Sequence, residues 1–357
     1  MTEPAKKPNR SPSKLRRWFF RLTALTLALV ISGVALEVGL RILDPYGVSY
    51  FRNLRAYNAK VLRPSDIPNL IFEQTPGVEV DIGVRVRIDR HGLRSDRDMP
   101  KSKPKGEKRL LVLGDSVAFG WGVELEETFC ARIEKALGEP WRVVDSGVVS
   151  YNTVQEEAFL RARGLALEPD AILLVYCYND TQRVNRQMVD GAGPRRSRPG
   201  ILKGRVSRLE WWMLTNRHDL ATTDFLRYLT LNELQSRVRD LRRSGSTEDL
   251  SALREVLRIA EPETSLNASL QALLRCQELA RERGLPFAVA RFSGPPELEA
   301  ACQKAGIPLI DTGFDVHSQD ERYRLSAVDA HPNAAGHRLL AERILAGLKD
   351  HGLLEGQ

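Results

Sequence analysis

Five short apolar runs, each closed by polar or glycine punctuation, constrain this chain more than any other feature. They are "RLLVL" (Arg109–Leu113), "WRVVD" (Trp141–Asp145), "AILLVY" (Ala171–Tyr176), "FAVARF" (Phe287–Phe292) and "IPLID" (Ile307–Asp311). Their apolar residues follow one another rather than alternating with polar ones, the pattern of strands buried on both faces. Amphipathic stretches lie between and after them. Phe129, Ile133 and Leu137 recur at four-residue spacing within Glu126–Leu137. Leu266, Leu270, Leu273 and Leu274 form a stripe that stops near Gly284, and Glu297–Ala305 meets Gly306. Leu339, Leu340, Ile344, Leu345 and Leu348 mark a last helix. Thr153-Val-Gln-Glu156 has the form of a capping box, opening a helix that Gly164 would end. Strands alternating with helices predict an α/β fold, a parallel sheet covered on both faces in three layers. Ligands of such sheets sit at the carboxyl ends of the strands, so the loops after the strands are where chemistry is expected.

The chain has 357 residues and a formal net charge of +7, and part of that excess precedes an apolar segment. Lys6, Lys7, Arg10, Lys14, Arg16, Arg17 and Arg21 come first, and Leu22–Leu36 then carries no charge. A membrane span needs ~20 mostly apolar residues. Trp18–Leu43 supplies them if Arg21, Glu37 and Arg41 reach toward the interfaces. A cleaved signal peptide is the other reading, with Gly33-Val34-Ala35 as its cutting site. The apolar pattern runs on past that site, which favours an uncleaved anchor. Either way the basic flank stays in the cytoplasm and the rest of the chain lies outside it, periplasmic or extracellular.

The expected organisation is therefore a basic tail (1–14), a transmembrane signal-anchor helix (15–43), a connecting region (44–107) and a main domain (108–352). Within the connecting region Val80, Ile82, Val84, Val86 and Ile88 alternate with polar or glycine partners, which predicts a β-hairpin. The linker "PKSKPKGEK" precedes the main domain. Residues 181–262 interrupt its alternation with "GAGPRRSRPG" and arginine-rich segments containing Trp211 and Trp212, and are expected to be a largely helical insertion.

Several classes drop out. Cys130, Cys177, Cys276 and Cys302 have no CxxC or CxxH spacing, and His331 and His337 are not in HExxH spacing, so no metal is expected. Gly114–Gly122 lacks the lysine of a phosphate loop, and no cofactor is implied. The basic residues have a membrane explanation and no nucleic-acid motif accompanies them. The cysteines are open between disulfides and buried free thiols.

Four strand-end loops carry the candidate chemistry. After the first run comes Gly114-Asp115-Ser116, a serine at a strand end just before a helix. After the second comes Ser146-Gly147, whose backbone N–H would face an oxyanion. After the third comes "CYNDT", where the Asn179 side chain would donate to the same oxyanion. Near the C-terminus comes "VDAHPNAAGH". There His331 would take the Ser116 proton, with Asp329 orienting its other nitrogen and Asn333 capping the last helix. His337 is the rival histidine, better placed for a structural role.

These four blocks, in this order, resemble the SGNH hydrolases of the GDSL type: Ser116 in "GDS", Gly147 in "DSGVVSYN", Asn179 in "YND" and His331 in "DAHPN". The resemblance extends over most of residues 75–350, including "RHGLRSD" before the first strand. It implies a flavodoxin-like parallel sheet and an esterase or acyltransferase. In that chemistry Ser116 is the nucleophile, His331 the general base and Asp329 its partner. The oxyanion hole is made by the N–H groups of Ser116 and Gly147 and the side chain of Asn179. The sequence departs from the family pattern in three places. Only Ala330 separates Asp329 from His331, where two residues are usual; Cys177 replaces a glycine two before Asn179; and Val117 replaces the GDSL leucine.

With the anchor, this points to an acyl ester, such as an O-acetyl group, on a cell-envelope glycan or lipid. The alternatives are an O-acyltransferase on an extracellular polysaccharide, which would use the same residues, and a catalytically silent binding protein of the same fold.

Overall fold

The computed structural model describes residues 14–100, 102–182, 220–226, 228–230, 233, 236, 266–314 and 320–354. The expected insertion therefore falls largely outside the described residues, as do Trp211, Trp212 and nearly all of the basic tail.

Helix α1 (Lys14–Leu43) is 30 residues long, and it is the one helix among the described residues long and apolar enough to cross a membrane. Every residue of it up to Leu36 is exposed. A turn at Asp44 leads to α2 (Ser49–Lys60). The chain then makes two small antiparallel pairs, β1 (Leu62–Pro64) with β2 (Phe72–Gln74) and β3 (Glu79–Asp81) with β4 (Arg85–Arg87). The second pair is where the alternating valines and isoleucines lie. The segment is more than a connector. Tyr57, Val61, Leu70, Phe72, Val86 and Ile88 are completely buried and share one core with residues of the main sheet.

The main sheet takes three of its strands in quick succession with their helices. They are β5 (Lys108–Leu113), the short α3 (Ser116–Phe119), α4 (Phe129–Leu137), β6 (Trp141–Asp145), α5 (Thr153–Ala162) and β7 (Ala171–Tyr176). Then come α6 (Leu266–Arg281), β8 (Phe287–Arg291), α7 (Pro296–Ala305), β9 (Leu309–Asp311) and α8 (Ala334–Asp350). The five strands are all parallel, in the order β6-β5-β7-β8-β9. Counted from β5, that is the flavodoxin-like order 2-1-3-4-5, with its reversal between β5 and β7.

Alternate strand residues face opposite layers. Leu111, Leu113, Ile172 and Leu174 pack with α5 and α6 through Phe159, Leu160, Leu273 and Cys276. Leu110, Val112, Leu173 and Val175 pack with α4 and α8 through Phe129, Ile133, Leu340 and Ile344. All four cysteines are buried free thiols.

One expected signal is not realised. The capping box at Thr153 does not form: Asn152 is the N-cap and its side chain accepts from Gln155 N–H. The Thr153 hydroxyl instead meets Asp180 and Ser269, 2.9 and 3.0 Å away, because α5 packs against the turn after β7 and against α6. Gly164 does stand at C′, after Ala162 and the C-cap Arg163, and from there it opens a 3-10 turn. Asn333 does cap α8, its side-chain oxygen accepting from Ala335 and Gly336 N–H at 3.0 Å.

Candidate active site

The reversal between β5 and β7 places two of the four strand-end loops side by side. Asp115 caps α3 by accepting from Val117 N–H at 2.9 Å, which makes Ser116 the first residue of the helix. Its N–H therefore has no intrahelical acceptor. Gly114 is needed for close approach, since a Cβ there would sit 2.7 Å from the Ala118 Cβ.

The loop before α8 brings His331 and Asp329 to this serine. His331 Nε2 is 2.8 Å from Ser116 Oγ, and His331 Nδ1 is 2.5 Å from Asp329 Oδ1. With Nδ1–H donated to the carboxylate, Nε2 is left as the acceptor for the serine proton. Ser116 Oγ also lies 3.3 Å from Asp115 Oδ2, a longer contact. The short Asp-Ala-His spacing is accommodated, because Asp329 Oδ1 accepts from the His331 backbone N–H at 3.1 Å as well. Its other oxygen accepts from the indole N–H of Trp121 at 3.0 Å.

Burial raises the Asp329 carboxyl, but His331 and Trp121 outweigh it and hold the group below its ordinary 3.8. Burial lowers His331, but the Asp329 carboxylate outweighs it and holds the imidazole above 6.5. The arrangement can take a proton from the serine hydroxyl as its oxygen attacks an electrophile.

The expected oxyanion donors are placed differently from one another. Gly147 lies against the backbone of α3, where a Cβ would come 2.2 Å from Phe119 N and 2.7 Å from the carbonyl carbon of Ala118. Only glycine fits this approach. Its N–H, however, donates to Asp145 Oδ1 at 2.9 Å, and its carbonyl accepts from the buried Gln74 amide at 3.0 Å. The Asn179 side-chain amide donates to Tyr151 O at 3.3 Å. The turn that carries it is held by Asp180, whose carboxylate accepts from Cys177 N–H at 2.5 Å. Cys177 points its thiol at Asp115 Oδ1, 3.3 Å away.

Three residues not singled out from the sequence complete the surroundings. Arg94, in "RHGLRSD", is 3% exposed and donates to the carbonyls of Phe119, Gly120 and Val123 at 2.6–2.8 Å, tying off the C-terminal end of α3. Asp145 is buried, and burial pushes its carboxyl up to about 7 against the opposing effects of Gly147 N–H and Arg94. Trp121 lies in the serine block itself. The signal for Arg94 and Trp121 was their place inside motif blocks, though nothing local says what they touch.

His337 is structural. It is fully buried, accepts from Phe129 N–H through Nδ1 at 3.2 Å, and is pushed down to about 3 by burial and by Arg94. Among the described residues no His, Cys, Asp and Glu side chains cluster as a metal site.

No protein-family model matches the chain. No curated protein matches it either. Solved structures do. The psychrotrophic esterase EstA from a Pseudoalteromonas species aligns over 69% of this chain and 98% of its own, at 11% identity and a TM-score of 0.41. TesA aligns over 68% and 99%, at 16% identity and a TM-score of 0.40. A two-domain esterase active on acetylated mannans aligns over 71% and 52%, at 12% identity and a TM-score of 0.38. Likeness at this level is too weak to bear on function.

Proposed function

We propose that this chain is a membrane-anchored serine esterase of the SGNH/GDSL type, acting on an acyl ester of a cell-envelope glycan or lipid. The observation that carries the reading is the hydrogen-bonded chain Ser116 Oγ, His331 Nε2, His331 Nδ1 and Asp329 Oδ1, assembled at the sheet's switch point from residues 215 positions apart.

Ser116 Oγ attacks the ester carbonyl while His331 Nε2 takes its proton. Asp329 stabilises the imidazolium and keeps the ring in the required tautomer. The carbonyl oxygen becomes an oxyanion, received by the Ser116 N–H and the Asn179 amide. Gly147 N–H joins them when it gives up Asp145. The imidazolium then protonates the leaving alcohol, and the acyl group stays on Ser116. Water, deprotonated by His331, attacks the acyl-serine, and collapse of the second oxyanion returns the carboxylic acid and free Ser116. Helix α1 holds the enzyme in the membrane, with the basic flank on the cytoplasmic side and the active site outside.

The test uses the full chain in detergent micelles, treated with a fluorophosphonate and assayed with p-nitrophenyl acetate. The expected result is an adduct on Ser116 and turnover that Ser116→Ala abolishes, with the circular dichroism of the two proteins alike. No adduct, or turnover that survives Ser116→Ala, would overturn the reading.

A further inference from the structure

We infer that the ester is carried by an amphiphile lying in the same membrane as α1, not by a molecule free in solution. This rests on the esterase reading above and adds the substrate's location to it.

The membrane edge can be placed on the chain. From Trp18 to Leu36, at 1.5 Å per residue, α1 spans roughly 28 Å, against a hydrocarbon core of ~30 Å. The first charge beyond Leu36 is already docked. The Glu37 carboxylate accepts from Ala221 N–H, Thr222 N–H and the Thr222 hydroxyl at 2.7–2.9 Å. One turn later Leu40 is only 8% exposed. The soluble part of the protein thus grips the helix as soon as it leaves the bilayer.

The joint that follows is built as a fixed elbow. Asp44 N–H donates to Leu40 O at 3.0 Å, and the Asp44 carboxylate accepts from Ser49 N–H. The Tyr46 ring stacks on Phe225 with centroids 5.3 Å apart. Arg55, on α2, makes a bidentate pair with Asp224 at 2.9 Å. Gly-rich or disordered tethers let a domain roam from its anchor; this contact set does not.

The elbow leads straight to the catalytic loop. Val328 N–H donates to Tyr46 O at 3.3 Å, one residue before Asp329. Gly47 packs so closely on Ser326 that a Cβ would lie 2.1 Å from its Oγ. The Tyr50 ring centroid is 6.3 Å from that of His331 and 6.0 Å from that of Trp121. A cavity of about 470 Å³ has Asp44, Tyr50 and Asn53 on one side and Trp121, Ser326 and Asp329 on the other. Its walls are the end of the anchor and the loop of the general base. The site is therefore held at fixed height at the membrane surface. A rigid mount favours esters confined to that surface, whose effective concentration beside the site is high, over those that must approach from bulk water.

The test uses the full-length protein in nanodiscs of phosphatidylethanolamine and phosphatidylglycerol. The probe is a dialkyl lipid with a coumarin acetate headgroup, placed either in the same discs or in separate vesicles at equal bulk concentration. Water-soluble umbelliferyl acetate is the control. The expected result is turnover at least about tenfold faster in the same disc than across vesicles. A second variant inserts a flexible Gly-Ser segment between Leu36 and Glu37. It leaves the elbow and the cavity intact and frees only their height. It should keep the umbelliferyl acetate rate and lose several-fold on the same-disc lipid ester. Equal rates in the two placements, or an insertion without effect on the lipid ester, would overturn the inference alone. Absence of both umbelliferyl acetate turnover and a Ser116 adduct would remove the esterase reading and this inference with it.

Discussion

The indole N–H of Trp121 donates to Asp329 Oδ2 at 3.0 Å, joining the block that carries Ser116 to the loop that carries His331. The carboxylate is thus held from both sides, by the imidazole on Oδ1 and by the indole on Oδ2. A hydrogen bond to a charged group contributes ~1.5–3 kcal/mol. Trp121→Phe should keep the ring packing and lose this bond. We expect kcat to fall about tenfold or more with KM little changed, since each 1.4 kcal/mol is a factor of ten. A KM rise at constant kcat would show that Trp121 shapes binding instead.

The pH profile follows from the His331–Asp329 pair. Burial lowers the His331 pKa and Asp329 raises it by more, so it stands above 6.5. The ring accepts the serine proton only when neutral, so activity should fall as pH drops through that raised value. Asp329→Asn removes the carboxylate and leaves burial opposed only by the lesser effect of Asp115. Its acid limb should move to lower pH, with kcat down by ~10³–10⁴. An unmoved limb would assign the titration to another group.

Gly147, the proposed oxyanion donor, also packs on α3. A methyl group there would lie 2.2 Å from Phe119 N, so Gly147→Ala must push the backbone of α3 and with it Ser116. Overpacking of this kind costs about 1–3 kcal/mol in stability. Loss of an oxyanion donor's geometry costs about 10²–10³ in rate. Both a lower Tm and a rate loss of that size are expected, read by calorimetry and by p-nitrophenyl acetate turnover. A stable variant with full activity would place the oxyanion hole elsewhere.

Asp145 should make the protein less stable as pH rises. Burial raises its pKa from 3.8 to about 7, so the folded state keeps this proton where the unfolded chain has lost it. The unfolded chain thus binds fewer protons across that window, and stability declines through it and is level above. Asp145 Oδ2 has no hydrogen-bond partner among the described residues, which an amide N–H₂ in its place would not worsen beyond a neutral group. Asp145→Asn should match the natural protein near about pH 4 and exceed its unfolding free energy by up to ~4 kcal/mol above about pH 8. Denaturant melts at the two pH values decide it; a gap that grows toward acid would reverse the assignment.

The five strands were legible from their apolar runs, which in the central β5, β7 and β8 are buried on both faces and in the edge strands β6 and β9 partly so. "WRVVD" and "AILLVY" are strands from end to end. Helix α2 was not legible. In its sequence, SYFRNLRAYNAK, only Tyr57 is fully buried; Tyr50 and Leu54 pack beside it half-buried, a narrow stripe among arginines and asparagines. The Thr153 box failed for a related reason. Partners from β7's turn and from α6 took the threonine hydroxyl, and no local pattern records them.

The apolar runs are enough to say which residues stand at strand ends: Ser116 after β5, Gly147 after β6, Asn179 after β7, and His331 before the last helix. Parallel strands all end on one side, so that order already commits these residues to one edge of the sheet. How they meet there depends on packing. It put His331 Nε2 within 2.8 Å of Ser116 Oγ, gave Asp329 its indole partner and turned Gly147 N–H toward Asp145. It also set the elbow of α1 against the loop of His331. The physical reason is one of scale. Burial patterning repeats along the chain over several residues and survives in the sequence. A hydrogen bond depends on tenths of an ångström and on bond direction, and those are set by packing between segments hundreds of residues apart.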